Sequence, residues 1–129
     1  MKATRILSIF FTALLISLGT IIISSILKLP GAFLIFLLSL VSLSIWQFYC
    51  DTTRTMWIRA FFILGAESII TPIVLFLTVA ARVNSTTSGA KLGTLFAGTV
   101  VVGMAAVVGL ALGVAFIAAG MIMLRKKHA

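Results

Sequence analysis

The chain has 129 residues, of which 62% are hydrophobic and only 9% are charged, and its mean hydropathy is +1.31. These few charged residues cannot cover the surface of a water-soluble core. The composition therefore excludes a soluble domain and predicts an integral membrane protein. Ten Lys and Arg against two acidic residues give a net charge of +8. These cations flank apolar segments and form no basic patch with interleaved aromatics, so we expect lipid head groups and the bilayer as partners and no nucleic acid.

Four apolar segments follow one another and predict helices at about residues 6–27, 32–49, 56–81 and 92–124. The turn "KLPG" separates the first two, because Pro30 cannot continue a helix and Gly31 supplies turn freedom. The connection "CDTTRT" offers caps for the third helix, and "RVNSTTSGAK" is a polar loop before the fourth. The pattern predicts a single all-α domain over residues 1–129, an integral membrane bundle of four transmembrane helices.

The distribution of Lys and Arg predicts the orientation of this bundle. With both termini cytoplasmic, seven basic residues lie at the inner face and three lie outside, which agrees with the positive-inside rule. The inner set is Lys2, Arg5, Arg54, Arg59, Arg125, Lys126 and Lys127, and the outer set is Lys28, Arg82 and Lys91.

One of the two acidic residues, Glu67, lies in the middle of the third apolar segment. An ionised carboxylate there costs about 2.5–3.5 kcal/mol, so Glu67 is expected to face the bundle or to be protonated. Helical spacing puts Thr71 on the same stripe, and Pro72 frees the carbonyl of Ser68, so these residues predict an intramembrane polar site. The site has two interpretations: an interhelical hydrogen bond that holds the bundle or a partner, or a titrating group for transport.

Small residues recur every four positions along the fourth segment. Ala105, Gly109 and Gly113 form one small-xxx-small seam, on which helices can approach closely in lipid. A second seam of alanines at positions 111, 115 and 119 lies on another face. Two seams predict two neighbours, of which one is a helix of the same bundle and the other is a second copy or a partner membrane protein; internal packing of both seams is the alternative.

The C-terminal sequence "LRKKHA" contains Arg125, Lys126 and Lys127, a basic tail that anchors the last helix on the cytoplasmic side. Its last four residues also resemble the dilysine signal for retrieval to the endoplasmic reticulum. In a eukaryote we therefore expect the endoplasmic reticulum or another secretory-pathway membrane, and otherwise the cell membrane.

Catalytic and metal-binding patterns are absent from the sequence. The one histidine, His128, stands in the charged tail, and no cluster of His, Cys and carboxylates suits a metal. A single cysteine, Cys50, excludes an intramolecular disulfide. We expect neither enzymatic activity nor a cofactor.

The layout of the chain resembles the MARVEL-type four-helix membrane proteins, particularly short fungal ones. The resemblance rests on a basic residue before the first helix ("ATRILSIFF"), short loops and an acidic residue in the third helix ("LGAESIITPIVLFLTVAARV"). The chain differs from that family in its tight first hairpin, its long fourth helix and its lack of extracellular cysteines. The resemblance implies a role in membrane organisation, trafficking or membrane apposition.

These observations predict a multi-pass membrane protein that acts by lateral helix contacts, as a membrane-organising, trafficking or accessory subunit. The alternative is a small proton- or cation-coupled transporter that uses Glu67. The small multidrug transporters have a similar size and one key membrane glutamate, but theirs lies in the first helix, so none of their residues is transferred to this chain.

Overall fold

The computed structural model of the chain describes residues 2–85 and 88–126, which form four α-helices and contain no strand. This confirms the prediction of an all-α chain with four helices. The tail residue Lys127 lies outside the described residues. The helices are α1 (Lys2–Ile26), α2 (Ala32–Phe48), α3 (Thr53–Ser85) and α4 (Ser88–Arg125).

Short local signals set the ends of these helices. Lys28 ends α1 in the left-handed conformation (φ 53°), and the N–H groups of Leu29 and Lys28 donate to the carbonyls of Ser24 and Ser25, each at 3.1 Å. This pattern of two bonds is a Schellman motif, which closes the last turn of a helix. Gly31 (φ 77°) then reverses the chain into α2. The first two helices therefore form the tight hairpin that "KLPG" predicts.

Thr52 caps α3, which begins at Thr53 and so three residues before the predicted start. The hydroxyl of Thr52 accepts a hydrogen bond from the backbone N–H of Thr55 at 3.3 Å, and its carbonyl accepts one from the N–H of Met56 at 3.2 Å. These bonds satisfy donors that the first turn of a helix otherwise leaves free. The cap extends α3 towards the connection, so Arg54 lies in its first turn.

The four helices lie in an open row. Extensive contacts join α2 to α1, α1 to α3 and α3 to α4, so in the described part of the chain α1 and α3 occupy the middle and α2 and α4 the two flanks. The helices α1, α3 and α4 are long and apolar enough to cross a membrane, whereas α2 is an apolar helix of 17 residues. The outer faces of the row carry large exposed hydrophobic side chains.

The helices have unequal lengths, so one end of the row is uneven. Thr20 of α1 lies beside Glu67 of α3, and from this level α1 continues for six residues whereas α3 continues for eighteen. At 1.5 Å per residue, α3 extends about 18 Å beyond the end of α1. In this extension a cleft of about 420 Å³ lies between α3 and α4, lined mainly by apolar side chains such as Phe76, Val79 and Val102.

At the opposite, even end, two arginines join neighbouring helices. Arg5 of α1 donates hydrogen bonds to the carbonyl of Phe48 at 3.2 Å and to that of Cys50 at 2.7 Å, at the C-terminal end of α2. Arg54 of α3 donates to the carbonyl of Met123 in the last turn of α4. The carbonyls of Phe48 and Met123 lie in the last turns of α2 and α4, where they have no donor within their own helix and stand next to the negative end of its dipole, and Cys50 lies just beyond α2. Each hairpin is therefore closed by one cation at this end.

Candidate functional site

The carboxyl group of Glu67 lies at the interface between α3 and α1. The hydroxyl of Thr20 donates a hydrogen bond to Glu67 Oε1 at 3.1 Å, and the carboxyl rests against Gly19. A methyl group added at Gly19 would collide with this carboxyl. The missing side chain at position 19 is thus what allows Glu67 to reach α1.

The two oxygens of this carboxyl have different surroundings. Oε1 meets Thr20, whereas Oε2 is buried and has no hydrogen-bond partner among the described residues. A buried polar atom without a partner is uncommon in native structures and calls for an explanation. The described chain therefore provides a hydrogen-bond partner for one of the two carboxyl oxygens of Glu67 and none for the other.

The neighbours of Glu67 on α3 bond to the backbone and not to the carboxyl. The Thr71 hydroxyl donates to the backbone carbonyl of Glu67 at 2.7 Å. Pro72 has no N–H, so the carbonyl of Ser68 loses its helical donor, and this carbonyl faces α4 at Gly109. The sequence brings these residues together on one turn, but their polar groups point to different neighbours.

A groove beside Glu67 is the cavity that concerns this site, and we call it the Glu67 groove. Its volume is about 340 Å³, and it lies over α3 between α1 and α4, two helices that do not pack extensively against each other. Both sides of the groove contain small residues, Gly19 on α1 and Ala105 and Gly109 on α4. The lining includes Gly19 and Ile22 of α1, Glu67, Ser68, Thr71 and Pro72 of α3, and Ala105, Gly109 and Leu112 of α4.

The small-residue seam of α4 packs mainly against α3. A Cβ atom built at Gly109 would lie 2.5 Å from the carbonyl oxygen of Ser68, and one at Gly113 would lie 2.6 Å from a side-chain carbon of Ile69. The glycines therefore let the two backbones approach closely. Ala105 is half-buried and lines the Glu67 groove. This seam contacts a helix of the same chain.

The second seam has a different position. Ala111 and Ala115 are exposed, whereas Ala119 is half-buried. Since Ala115 follows Gly113 by two residues, it projects from nearly the opposite side of α4. This face of α4 is free of other helices of the described chain and remains available for a neighbour.

The basic tail has no role at the Glu67 site. Arg125 and Lys126 are exposed at the C-terminal end of α4, and the backbone N–H of Lys126 donates to the carbonyl of Ile122 at 3.2 Å. Lys127 lies outside the described residues. The described tail residues stand at the end of the row that also carries Lys2, Arg5, Arg54 and Arg59, because α1 and α3 begin there.

A polar cluster around Cys50 is the part that sequence reasoning misses. The side chain of Cys50 is 2% exposed, and its sulfur accepts a hydrogen bond from Arg59 Nη1 at 3.1 Å and lies 3.6 Å from the amide oxygen of Gln47. The Arg59 guanidinium also lies 5.1 Å from the centre of the Trp46 ring, a cation–π contact. Tryptophan and arginine on either side of a short loop are the sequence signal that could have indicated this cluster.

Among the described residues, no three His, Cys, Asp or Glu side chains come together in a group that could hold a metal ion. No protein-family model matches the chain, and neither the curated proteins nor the solved structures contain a significant match to it.

Proposed function

We propose that the protein is a multi-pass membrane protein that acts by lateral contacts between helices, as a membrane-organising, trafficking or accessory subunit. The observation that carries this proposal is the Glu67 groove, which lies on one face of the open row, over α3 between α1 and α4. It is lined by Glu67, whose carboxyl has one oxygen without a hydrogen-bond partner in the described chain. Polar groups at membrane depth are satisfied by neighbouring helices, so this groove is suited to a neighbour.

The proposal includes four membrane crossings with both termini in the cytoplasm. It is supported by the position of the described basic residues, since Lys2, Arg5, Arg54, Arg59, Arg125 and Lys126 share one end of the row. The aromatic side chains of Trp46 and Trp57 lie near the same end, as expected for an interface with lipid head groups. The resemblance to MARVEL-type proteins agrees with this layout and with a role in membrane organisation.

In this proposal the apolar outer faces contact lipid. The exposed alanines of α4, at positions 111 and 115, contact a second copy or a partner membrane protein. The membrane that we propose is the endoplasmic reticulum or another secretory-pathway membrane in a eukaryote, and otherwise the cell membrane.

Cross-linking in native membranes tests this proposal. The full-length protein is treated with a lipid-permeant cross-linker before extraction in mild detergent, and the products are identified by mass spectrometry. We expect a defined complex that contains a second copy or another membrane protein, and Ala115→Trp is expected to deplete it because the larger ring blocks close approach. Recovery of only the uncross-linked monomer would contradict the proposal.

The alternative is a small proton- or cation-coupled transporter, which the partnerless oxygen Oε2 of Glu67 favours. Proton flux in proteoliposomes distinguishes the two functions. Transport requires that wild-type protein carries flux above empty liposomes and that Glu67→Gln abolishes it while the protein remains folded. The lateral-contact proposal expects background flux from both.

A further inference from the structure

Oε2 of Glu67 has no hydrogen-bond partner in the described chain, whichever protonation state the carboxyl adopts. The Thr20 hydroxyl contacts both Glu67 Oε1, at 3.1 Å, and the carbonyl of Ile16, at 3.2 Å, but it has only one hydrogen to donate. When Glu67 is ionised, Thr20 donates to Oε1. When Glu67 is protonated on Oε1, the carboxyl donates to Thr20 and Thr20 donates to Ile16. In both cases Oε2 is an acceptor that has no donor, and a proton carried by Oε2 itself has no acceptor.

The described chain has no cation that could supply this donor. The nearest basic residue on α3, Arg59, lies eight residues away, about 12 Å along the helix, and its guanidinium is engaged by Cys50 and Trp46. Arg82 is fifteen residues away on the other side, about 22 Å. A second copy in the same membrane orientation carries its cations at the same distant depths, so it cannot present one to Oε2 either.

The shape of the Glu67 groove suits a helix. Gly19 of α1 and Ala105 and Gly109 of α4 line it, and the two glycines contact Glu67 and Ser68 of α3, so the groove over α3 has no bulky side chain at these positions. On the α4 side of the groove, the carbonyl of Ser68 faces Gly109 and lacks its helical donor because of Pro72. The groove thus presents an acidic side chain between two helices, and its charge is complementary to a positively charged side chain of a neighbour.

We propose that the Glu67 groove binds a membrane-spanning helix of a partner protein that carries a lysine or arginine at mid-membrane depth, with the cation pairing with the Glu67 carboxylate. This inference rests on the proposed function and names the chemistry of the partner. Ionisable residues within a membrane pair with one another, and a cation and a carboxylate select each other where neutral hydroxyl donors do not.

Synthetic transmembrane peptides test the inference directly. Three peptides have about 20 apolar residues and differ only at the central position, which is lysine, leucine or serine. Association with the full-length protein in phosphatidylcholine liposomes at neutral pH is measured by fluorescence energy transfer. We expect the lysine peptide to bind at least about tenfold more tightly than the other two. Equal binding of the lysine and leucine peptides, or of the lysine and serine peptides, would overturn the inference.

Two comparisons locate the binding site: wild type against Glu67→Gln, and Leu112→Trp against Leu110→Trp. Glu67→Gln keeps the size of the side chain and is expected to reduce the lysine preference to less than about twofold. Leu112 lines the groove, whereas Leu110 lies on the other side of α4. The two side chains are similarly exposed, at 47% and 51%. Leu112→Trp is therefore expected to abolish the preference and Leu110→Trp to retain it. A preference that survives both Glu67→Gln and Leu112→Trp contradicts the assignment of the site.

This experiment can fail independently of the proposed function. Lateral complexes in native membranes together with no lysine preference would reject the groove inference and leave the proposed function in place. A lysine preference without any native complex would reject the proposed function alone. Should Glu67→Gln fail to elute as a folded species, the pair of Leu→Trp variants still decides the outcome.

Discussion

At the scale of single residues, the position of the Glu67 carboxyl depends on the absence of a side chain at Gly19 of α1. The carboxyl occupies the space that a side chain at Gly19 would fill, and Thr20 next to it provides the hydrogen bond. The pair Gly19-Thr20 thus combines room with a donor on one turn of α1. This local arrangement explains how a carboxyl can be held within an apolar helix.

We expect Gly19→Ala to destabilise the protein by about 1–3 kcal/mol, because the new methyl group displaces the Glu67 carboxyl and breaks its bond to Thr20. The free energy of unfolding is measured by steric trapping in bicelles. In a Glu67→Ala background the same change should cost nothing, because the space is then empty. Gly103 has open space around it, so Gly103→Ala is the matched control. An equal cost of Gly19→Ala in both backgrounds would disprove the contact.

Thr20→Val removes the hydroxyl while it keeps the shape of the side chain. We expect the free energy of unfolding to fall by about 0.6 kcal/mol, the average found for hydrogen bonds between membrane helices, and by no more than about 1.7 kcal/mol, the largest value found. Thr99 is exposed and its hydroxyl bonds to the Leu95 carbonyl of its own helix, so Thr99→Val is a control that should change little. The prediction is wrong if the two valine variants are equally stable.

At the scale of elements, the contact between α3 and α4 depends on glycines on both helices, at positions where a larger side chain would keep the two backbones apart. Gly65 of α3 and Gly113 of α4 face each other, so each carbonyl lies 3.1 Å from the Cβ position of the other residue. Farther along, Gly109 approaches the Ser68 carbonyl that Pro72 has freed. Helices in lipid associate by close packing, and these positions are where the packing is closest.

This geometry predicts a rank order for alanine substitutions in α4. Gly109→Ala should be the most damaging, by about 1–3 kcal/mol, because its nearest atom is a backbone carbonyl oxygen that cannot rotate away. Gly113→Ala should cost less, since its nearest neighbour is a side-chain carbon of Ile69. Gly103→Ala should be neutral or slightly stabilising because nothing lies within 4 Å of its Cβ position. Steric trapping measures all three, and a Gly113 effect larger than that of Gly109 would refute this explanation.

Because this seam is engaged with α3, substitutions at Gly109 or Gly113 report first on internal packing. The loss of a complex in such a variant is therefore no direct measure of oligomerisation. The exposed face with Ala111 and Ala115 is the better place to probe association, since substitutions there leave the contact with α3 intact.

At the scale of the whole molecule, the row has one even, basic end and one uneven end. Arg5 and Arg54 close the two hairpins at the basic end, each on the C-terminal carbonyls of a neighbouring helix. At the other end, α3 and α4 extend beyond the turn that contains Lys28. With 17 residues, α2 is about 25 Å long, slightly shorter than a hydrocarbon core of about 30 Å.

The crossing of α2 can be tested by labelling from one side of the membrane. In a Cys50→Ser background, single cysteines replace Lys28 and Asp51, which are exposed at the two ends of α2. A membrane-impermeant maleimide added to sealed, inside-out vesicles should label Asp51→Cys and not Lys28→Cys. Lys126→Cys should behave like Asp51→Cys, since both termini are proposed to face the cytoplasm. Labelling of positions 28 and 51 from the same side would show that α2 does not cross.

The four helices could be read from the sequence because the signals that begin and end them are local. Apolar runs, the Pro30-Gly31 turn and Thr52 before α3 act over a few residues. The pattern underestimates α3 at both ends, because Thr52 caps the helix three residues before the predicted start and the helix continues to Ser85. The predicted polar loop before the fourth helix is wrong in its extent, since α3 ends and α4 begins, at Ser88, inside it. Glu67 was recognisable for the same reason, as the one carboxyl inside an apolar segment.

Only the tertiary structure decided which surfaces meet. Thr20 and Glu67 are 47 positions apart, and nothing in the local sequence pairs them. In a soluble helix, an apolar stripe marks the buried face, but here the faces towards lipid are as apolar as those towards other helices, so no stripe shows the direction of packing. Helix packing decides the order of the row, the contact of Gly109 with Ser68 and the position of the Glu67 oxygen that has no partner. In lipid, the buried face of a helix is the one on which small residues let a neighbouring backbone come close, and hydrophobicity does not distinguish it from the face towards lipid.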